Sequence, residues 1–240
     1  VYPRLLGLVV ILLVSLLPSA SHAQTPAYRV LAYSRTTGFR HDSIPDAIAA
    51  VQQLGEANGF AVDASEDPSV FNDATLANYR AVIFLLTTGD VLDDSGRGAF
   101  ERYIGAGGGY VGVHSAADTE YDWPFYGELM GAYFASHPDI QTALVLGQTD
   151  PWVRTDEWYN FRRNPRSSVQ VQLTLDEGSY AGGAMGDDHP ITWYHAYQGG
   201  RAWYTGMGHT RQSYAEPLFL RHLLAGIQYA AGVLASPEAS

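Results

Sequence analysis

Apolar residues recur along this chain in two rhythms, and their alternation predicts a fold before any chemistry is considered. Arg29 to Tyr33 reads as a short buried strand, and Ala81 to Leu86 is apolar throughout. Tyr110 to Val113, entered through Gly107-Gly108-Gly109, makes another such run, and Phe60 to Asp63 a shorter one. Between them the rhythm changes. Ile44, Ile48, Val51 and Leu54 fall at the spacing of a helix buried along one stripe. Ser43-Ile44-Pro45-Asp46, a serine with an acid three residues on and proline in the first turn, predicts its start, and Gly59 its end. Asp93 or Asp94 can cap a second helix that runs to about Ala106. Strands apolar on both faces that alternate with helices predict a parallel sheet buried between helical layers.

The second half of the chain has a different character. Leu144 to Leu146 and Val169 to Leu175 read as strands, and Ile191 to Tyr197 and Arg201 to Met207 flank Gln198-Gly199-Gly200, a hairpin signal. Pro217 to Tyr229 is an amphipathic helix with Leu220, Leu223, Leu224 and Ile227 on its apolar side. The pattern predicts an α/β fold of flavodoxin-like type, a parallel sheet between helices with an added antiparallel hairpin. Ligands of such sheets sit beyond the carboxyl ends of the parallel strands.

A longer apolar run, Leu5 to Leu17, changes the expected domain organisation. It follows Arg4 and is broken by Pro18, and Ser21-His22-Ala23 places small residues before a cut at Gln24. This is the layout of a secretory signal peptide, and the run is shorter than the ~20 residues of a membrane span. The expectation is a signal peptide over residues 1–23 and one domain over 24–240. The protein would then be secreted or periplasmic, with no stable membrane insertion after cleavage.

Composition narrows the chemistry. There is no cysteine, so disulfides, thiol nucleophiles and thiolate ligands are excluded. All 14 basic residues are arginine, which removes Schiff-base lysines and the Walker lysine, and no nucleotide cofactor is expected. The 25 acidic residues bring the net charge to −11. A nucleic-acid partner would need a compensating basic patch, and Arg162, Arg163 and Arg166 form only a small cluster. A small molecule is the expected partner.

Histidines occupy the loops that matter. GFRHDSI presents His41 after the first strand, GGGYVGVHSAADT ends the fourth strand on His114, and GMGHT follows the last hairpin strand with His209. A single histidine at a strand end is as often structural as functional, but three at one predicted sheet edge favour a shared site. His137, His195 and His222 are expected to be structural.

In order along the chain, VLAYSRTTGFRHDSIP, TTGDVL, AFERYIGAGGGYVGVHSAADTEYDWP, TDEWYNFRRNPR, MGDDHPITWYH and YTGMGHTRQSYAEPLFLRHLLAGIQYAAG resemble the trehalose-utilisation (ThuA-like) family from Arg29 to Gly232. The resemblance implies the fold of class I glutamine amidotransferases, in which a cysteine nucleophile sits at a strand-to-helix elbow with a partner histidine late in the chain. Here Gly112-Val113-His114 stands at the elbow and His209 at the late position. Imidazole cannot replace the thiolate, so glutaminase activity is not expected, and Ser115 is one residue off the elbow tip.

Two chemistries remain for the cluster. His114 and His209 could shuttle protons on a sugar hydroxyl or on a carbon next to a carbonyl, with His41 alongside. Alternatively His114, His209 and Glu157, which lies in the block TDEWYNF, would bind a divalent metal, zinc being the first choice, with open coordination positions. Arg211 would oppose a cation if its guanidinium entered the cleft. Trp123, Trp158 and Trp193, edged by Asp118, Asn160, Asp188 and His189, would suit a pyranose, while Trp203 is expected in the core. With the family's link to disaccharides, these readings converge on a small-molecule carbohydrate: an enzyme cleaving a glycoside or keto-sugar, as hydrolase or lyase. A non-catalytic carbohydrate-binding domain is the alternative.

Overall fold

The computed structural model describes residues 25–147 and 151–237; the segment read as a signal peptide lies outside the described residues. In chain order the principal elements are β1 (Arg29–Tyr33), α1 (Ile44–Asn58), β2 (Ala61–Ser65), α2 (Asp73–Leu76), β3 (Ala81–Leu85) and α3 (Asp94–Gly105). They continue with β4 (Gly109–Val113), α4 (Pro124–Met130), β5 (Phe134–Ser136), β6 (Gln141–Leu146), β7 (Trp152–Asp156) and β8 (Asn160–Phe161). The last are β9 (Gln170–Asp176), β10 (His189–Tyr197), β11 (Gly200–Thr205) and α5 (Pro217–Ala230).

Among the described residues nine strands form one mixed sheet in the order β2-β1-β3-β4-β11-β10-β9-β6-β7, and β5 and β8 pair separately. The first five are mutually parallel and run in the flavodoxin-like order. β3 and β4 are buried at all five positions, as apolar runs between helical layers should be. The antiparallel part is larger than the expected hairpin. β11 joins the parallel half beside β4, while β10, β9, β6 and β7 extend the sheet by four antiparallel strands. The turn between β10 and β11 has positive φ at both central residues, 47° at Gln198 and 101° at Gly199, which matches the right-handed twist of a two-residue hairpin.

The helices cover the parallel half. On one face α1 and α5 touch each other, and Trp203 of β11 packs beside His222 of α5 with ring centroids 4.9 Å apart. On the other, Phe84, Phe100, Tyr110 and Tyr126 form an aromatic cluster with centroids 5.3–6.4 Å apart. Asp93 caps α3 by accepting from the Gly96 N–H. Ser43, expected to cap α1, makes no such bond. Its hydroxyl instead donates to the His209 carbonyl at 2.7 Å, tying the start of α1 to the last site loop. Among the described residues no helix is long and apolar enough to cross a membrane.

Candidate metal centre

Each site histidine stands in the loop that follows a strand of the parallel half. β4 ends at Val113, and His114 then turns the chain with φ 51°, a left-handed conformation that costs a non-glycine residue about 1–2 kcal/mol. Tertiary bonds hold it there. His114 Nδ1 donates to the Gly206 carbonyl at 2.8 Å, and the Tyr204 hydroxyl donates to the His114 carbonyl at 2.9 Å. Because a carbonyl only accepts, the Nδ1 bond needs a proton there, and the neutral tautomer with that proton turns its Nε2 lone pair outward.

That lone pair faces two further candidate ligands. His209 Nδ1 lies 3.2 Å away and Glu157 Oε2 3.3 Å away, and these two are 3.1 Å from each other. His41 closes the group: its ring centroid is 5.0 Å from that of His114 and 4.9 Å from that of His209. One ligand atom from each of the four residues lies within 4.8 Å of all the others. Tetrahedral ligands about 2.0–2.2 Å from a zinc-sized ion stand about 3.3–3.6 Å apart. The His114–His209–Glu157 triangle is within a few tenths of an ångström of that spacing, so the cluster could hold a metal.

Burial and neighbouring charge act differently on the groups of the cluster. Burial pushes the His41 pKa down to about 3, and the neighbouring imidazoles push the same way, so the ring is neutral. Burial would raise the Glu157 carboxyl, but the adjoining His114 and His209 imidazoles outweigh it and hold the group well below the usual carboxylate range. Burial likewise opposes a charge on His209, yet the Glu157 carboxylate wins and raises its pKa. Arg211 brings no positive charge inward: its Nε binds Asp46 at 2.8 Å at the surface.

Asp156, absent from the sequence-based site, ties the loops together. It is fully buried, its Oδ1 accepts from the backbone N–H of Glu157 and of His209 at 3.0 Å each, and its Oδ2 accepts from Gly208 at 2.8 Å. Arg154 balances its charge from 3.3 Å and also binds Glu216 and Ser213. One carboxylate thus sets the backbone of both Glu157 and His209. Its only sequence signal was an acid immediately before Glu157.

Over the cluster opens a pocket of about 200 Å³, walled by Phe39, Phe134, Tyr159, Asp118 and His137 together with His41, Glu157 and His209. Tyr159 also roofs His114, with ring centroids 4.1 Å apart. Of the residues expected to bind substrate, only Asp118 lines this pocket. Trp158 and Trp193 are fully buried, with indole N–H groups donating to the carbonyls of Gln141 and Met130. Trp123 stacks on Tyr126 and donates to Glu101. These tryptophans fill the core and present no sugar platform; the aromatic wall is Phe39, Phe134 and Tyr159 instead. Asn160 fastens the 182–184 loop, Asp188 pairs with Arg166 at 2.6 Å, and His189 is buried with Nε2 on the Tyr159 carbonyl. His137, expected to be structural, lies at the pocket with Nδ1 3.2 Å from Glu157 Oε1. His195 and His222 are held by internal partners away from the pocket.

Fold and centre define an α/β domain with a three-histidine, one-carboxylate cluster at the carboxyl edge of its parallel strands. The family model described as trehalose utilisation (ThuA) matches residues 29–230, and the chain belongs to that family. Among solved structures it is similar to a ThuA-like protein of Bacteroides uniformis, 26% identical, covering 91% of this chain and 96% of that one with a TM-score of 0.72. A ThuA-like protein of Parabacteroides merdae shares the fold at 19% identity and a TM-score of 0.71, covering 88% and 92% of the two chains. A β-galactosidase of Halorubrum lacusprofundi shares the fold over 90% of this chain and 32% of its own, at 19% identity and a TM-score of 0.53. No curated protein matches the chain.

Proposed function

We propose that this protein is an exported carbohydrate-processing enzyme in which His114, Glu157 and His209, with His41 beside them, bind a divalent cation, zinc first. Its substrate would be a glycoside or keto-sugar. The observation that carries the reading is the meeting of the His114 lone pair, the Glu157 carboxylate and His209 Nδ1 within 3.1–3.3 Å in a mostly buried site. Three electron-rich atoms at that separation repel one another unless a cation or shared proton lies between them. A cation there would polarise a carbonyl or activate water. Phe39, 65% exposed at the pocket mouth, offers an aromatic face to a sugar's C–H surface.

Metal analysis of the purified protein, with a screen of disaccharides and their keto derivatives, tests this. His114→Ala and His209→Ala should each remove both bound metal and activity. Full activity on protein shown to be metal-free after prolonged chelation would exclude the metal. Substitutions that lower activity ~10²–10⁴-fold while metal stays bound would make the histidines proton shuttles. Export predicts a mature N-terminus at Gln24, read by intact mass.

A further inference from the structure

Tyr159 stands in the pocket wall with a hydroxyl that the fold does not use. Its ring is clamped, with its centroid 4.1 Å from that of His114 and 4.4 Å from that of Phe134. Its backbone is fixed as well: the Tyr159 carbonyl accepts from Nε2 of fully buried His189 at 2.8 Å, and His189 Nδ1 is held by Glu177 Oε1 at 2.8 Å. Neighbouring tyrosines spend their hydroxyls inside the fold. Tyr204 donates to the His114 carbonyl, Tyr214 to the Gly208 carbonyl and Tyr126 to the Ala116 carbonyl, at 2.7–2.9 Å. The Tyr159 hydroxyl has no such partner among the described residues, and it is not sealed in without one either. Its outlet is the pocket that the residue lines.

We propose that Tyr159 is a ligand-contacting donor of this site: its phenol O–H binds an oxygen of a small carboxylate, hydroxamate or carbonyl compound seated on the His/Glu cluster. The role rests on the cation reading above and on no particular sugar. The other lining side chains leave it open. Phe39 and Phe134 carry no polar atoms, and the Asp118 and Glu157 carboxylates only accept. His137 donates from Nδ1 to the Pro138 carbonyl, which makes Nε2 the acceptor of that tautomer. His41 and His209 belong to the cluster itself. Among the described residues, Tyr159 is thus the one hydroxyl donor in the wall. The pocket holds only about 200 Å³, so a molecule resting on the cluster also reaches Tyr159. The phenol and the cluster meet its oxygen from two sides, and charge gathering there is stabilised by a donor that needs no reorganisation. The clamped ring forms this bond without ordering a free side chain.

Titration of the cobalt(II)-loaded protein with two probes tests it. Acetohydroxamate offers acceptor oxygens to the phenol, whereas imidazole binds a metal through one nitrogen and turns an N–H outward. Tyr159→Phe keeps the ring and removes the hydroxyl alone. It should weaken acetohydroxamate binding about tenfold or more, while imidazole and cobalt affinities stay within about twofold. The visible cobalt spectrum reads all three, and thermal unfolding confirms that the variant folds. On the unaltered chain, zinc-loaded and isotope-labelled at tyrosine Cζ, acetohydroxamate but not imidazole should shift the Tyr159 resonance. Equal loss of both probes, or unchanged acetohydroxamate affinity with cobalt bound, overturns the role of Tyr159 and leaves the cation reading intact. A wild-type protein that takes up no divalent cation overturns both.

Discussion

The two halves of the sheet are built on opposite terms. In the parallel half β3 and β4 are buried at every position, whereas β7 at the far edge alternates, with Trp152, Arg154 and Asp156 inward and Val153 and Thr155 outward. The parallel half is a dry, apolar floor whose strand ends deliver three histidines. The antiparallel half carries a charged pair on its inner face and contributes Glu157 and the 181–182 loop. The apolar floor and the carboxylate of the cluster thus come from different strands, and Asp156 is the seam where they meet.

The seam offers the largest effect. Asp156→Asn should cost about 3–5 kcal/mol, since it leaves buried Arg154 with Glu216 as its one carboxylate and turns an amide N–H toward backbone N–H donors, and should weaken divalent-cation affinity about 10–100-fold. Denaturant unfolding and metal titration read the two separately. A variant that loses stability with unchanged metal affinity would show that Asp156 serves the fold alone.

Next comes the contrast between floors. Ile83→Ala, at a fully buried position, should cost about 2–5 kcal/mol, while Val153→Thr, at a residue 65% exposed, should stay within about 0.5. Equal costs in chemical denaturation would break the comparison.

A pH effect follows from α5. His222 is buried between Trp152 and Trp203, its Nδ1 has no partner among the described residues, and burial, with Arg154 adding to it, pushes its pKa down to about 3. From its ordinary 6.5 down to that value the unfolded chain binds a proton that the folded chain refuses. Stability therefore falls with pH across this window, by about 1.4 kcal/mol per unit from this residue alone. His222→Leu should flatten the slope between pH 6 and 4, since Thr192 and Thr205 remain bonded to each other; an unchanged slope assigns the acid sensitivity elsewhere. The smallest effect belongs to Ser43→Ala, which removes the bond to the His209 carbonyl and should cost about 1 kcal/mol in unfolding experiments.

Legibility in the sequence divided along the same seam. β1, β3, β4, α1 and α5 were readable to within a residue or two, because fully buried strands and one-sided helices leave long, single-period apolar signals. β7 was not. Its inward positions include Arg154 and Asp156, so the alternation that marks a half-buried strand is masked by charge. α2 and α4 are too short for a period to show. The tryptophans misled for a related reason: a large aromatic beside polar residues reads the same in a core as in a cleft, and only packing separates the two.

By itself the sequence determined what is local or compositional. It set the buried parallel strands and the long helices, put a histidine in the loops after three of those strands, and excluded thiol and lysine chemistry. Only the tertiary structure decided which of those histidines meet, that His137 joins them through Glu157, and that β11 completes the parallel half instead of standing apart with β10. It also brought Ser43 to His209 across 166 residues and Asp156 to His209 across 53. Such contacts depend on strand order and on hydrogen bonds between distant loops. Local periodicity is silent about both, because it registers how each segment meets the core and nothing about which segment lies across from it.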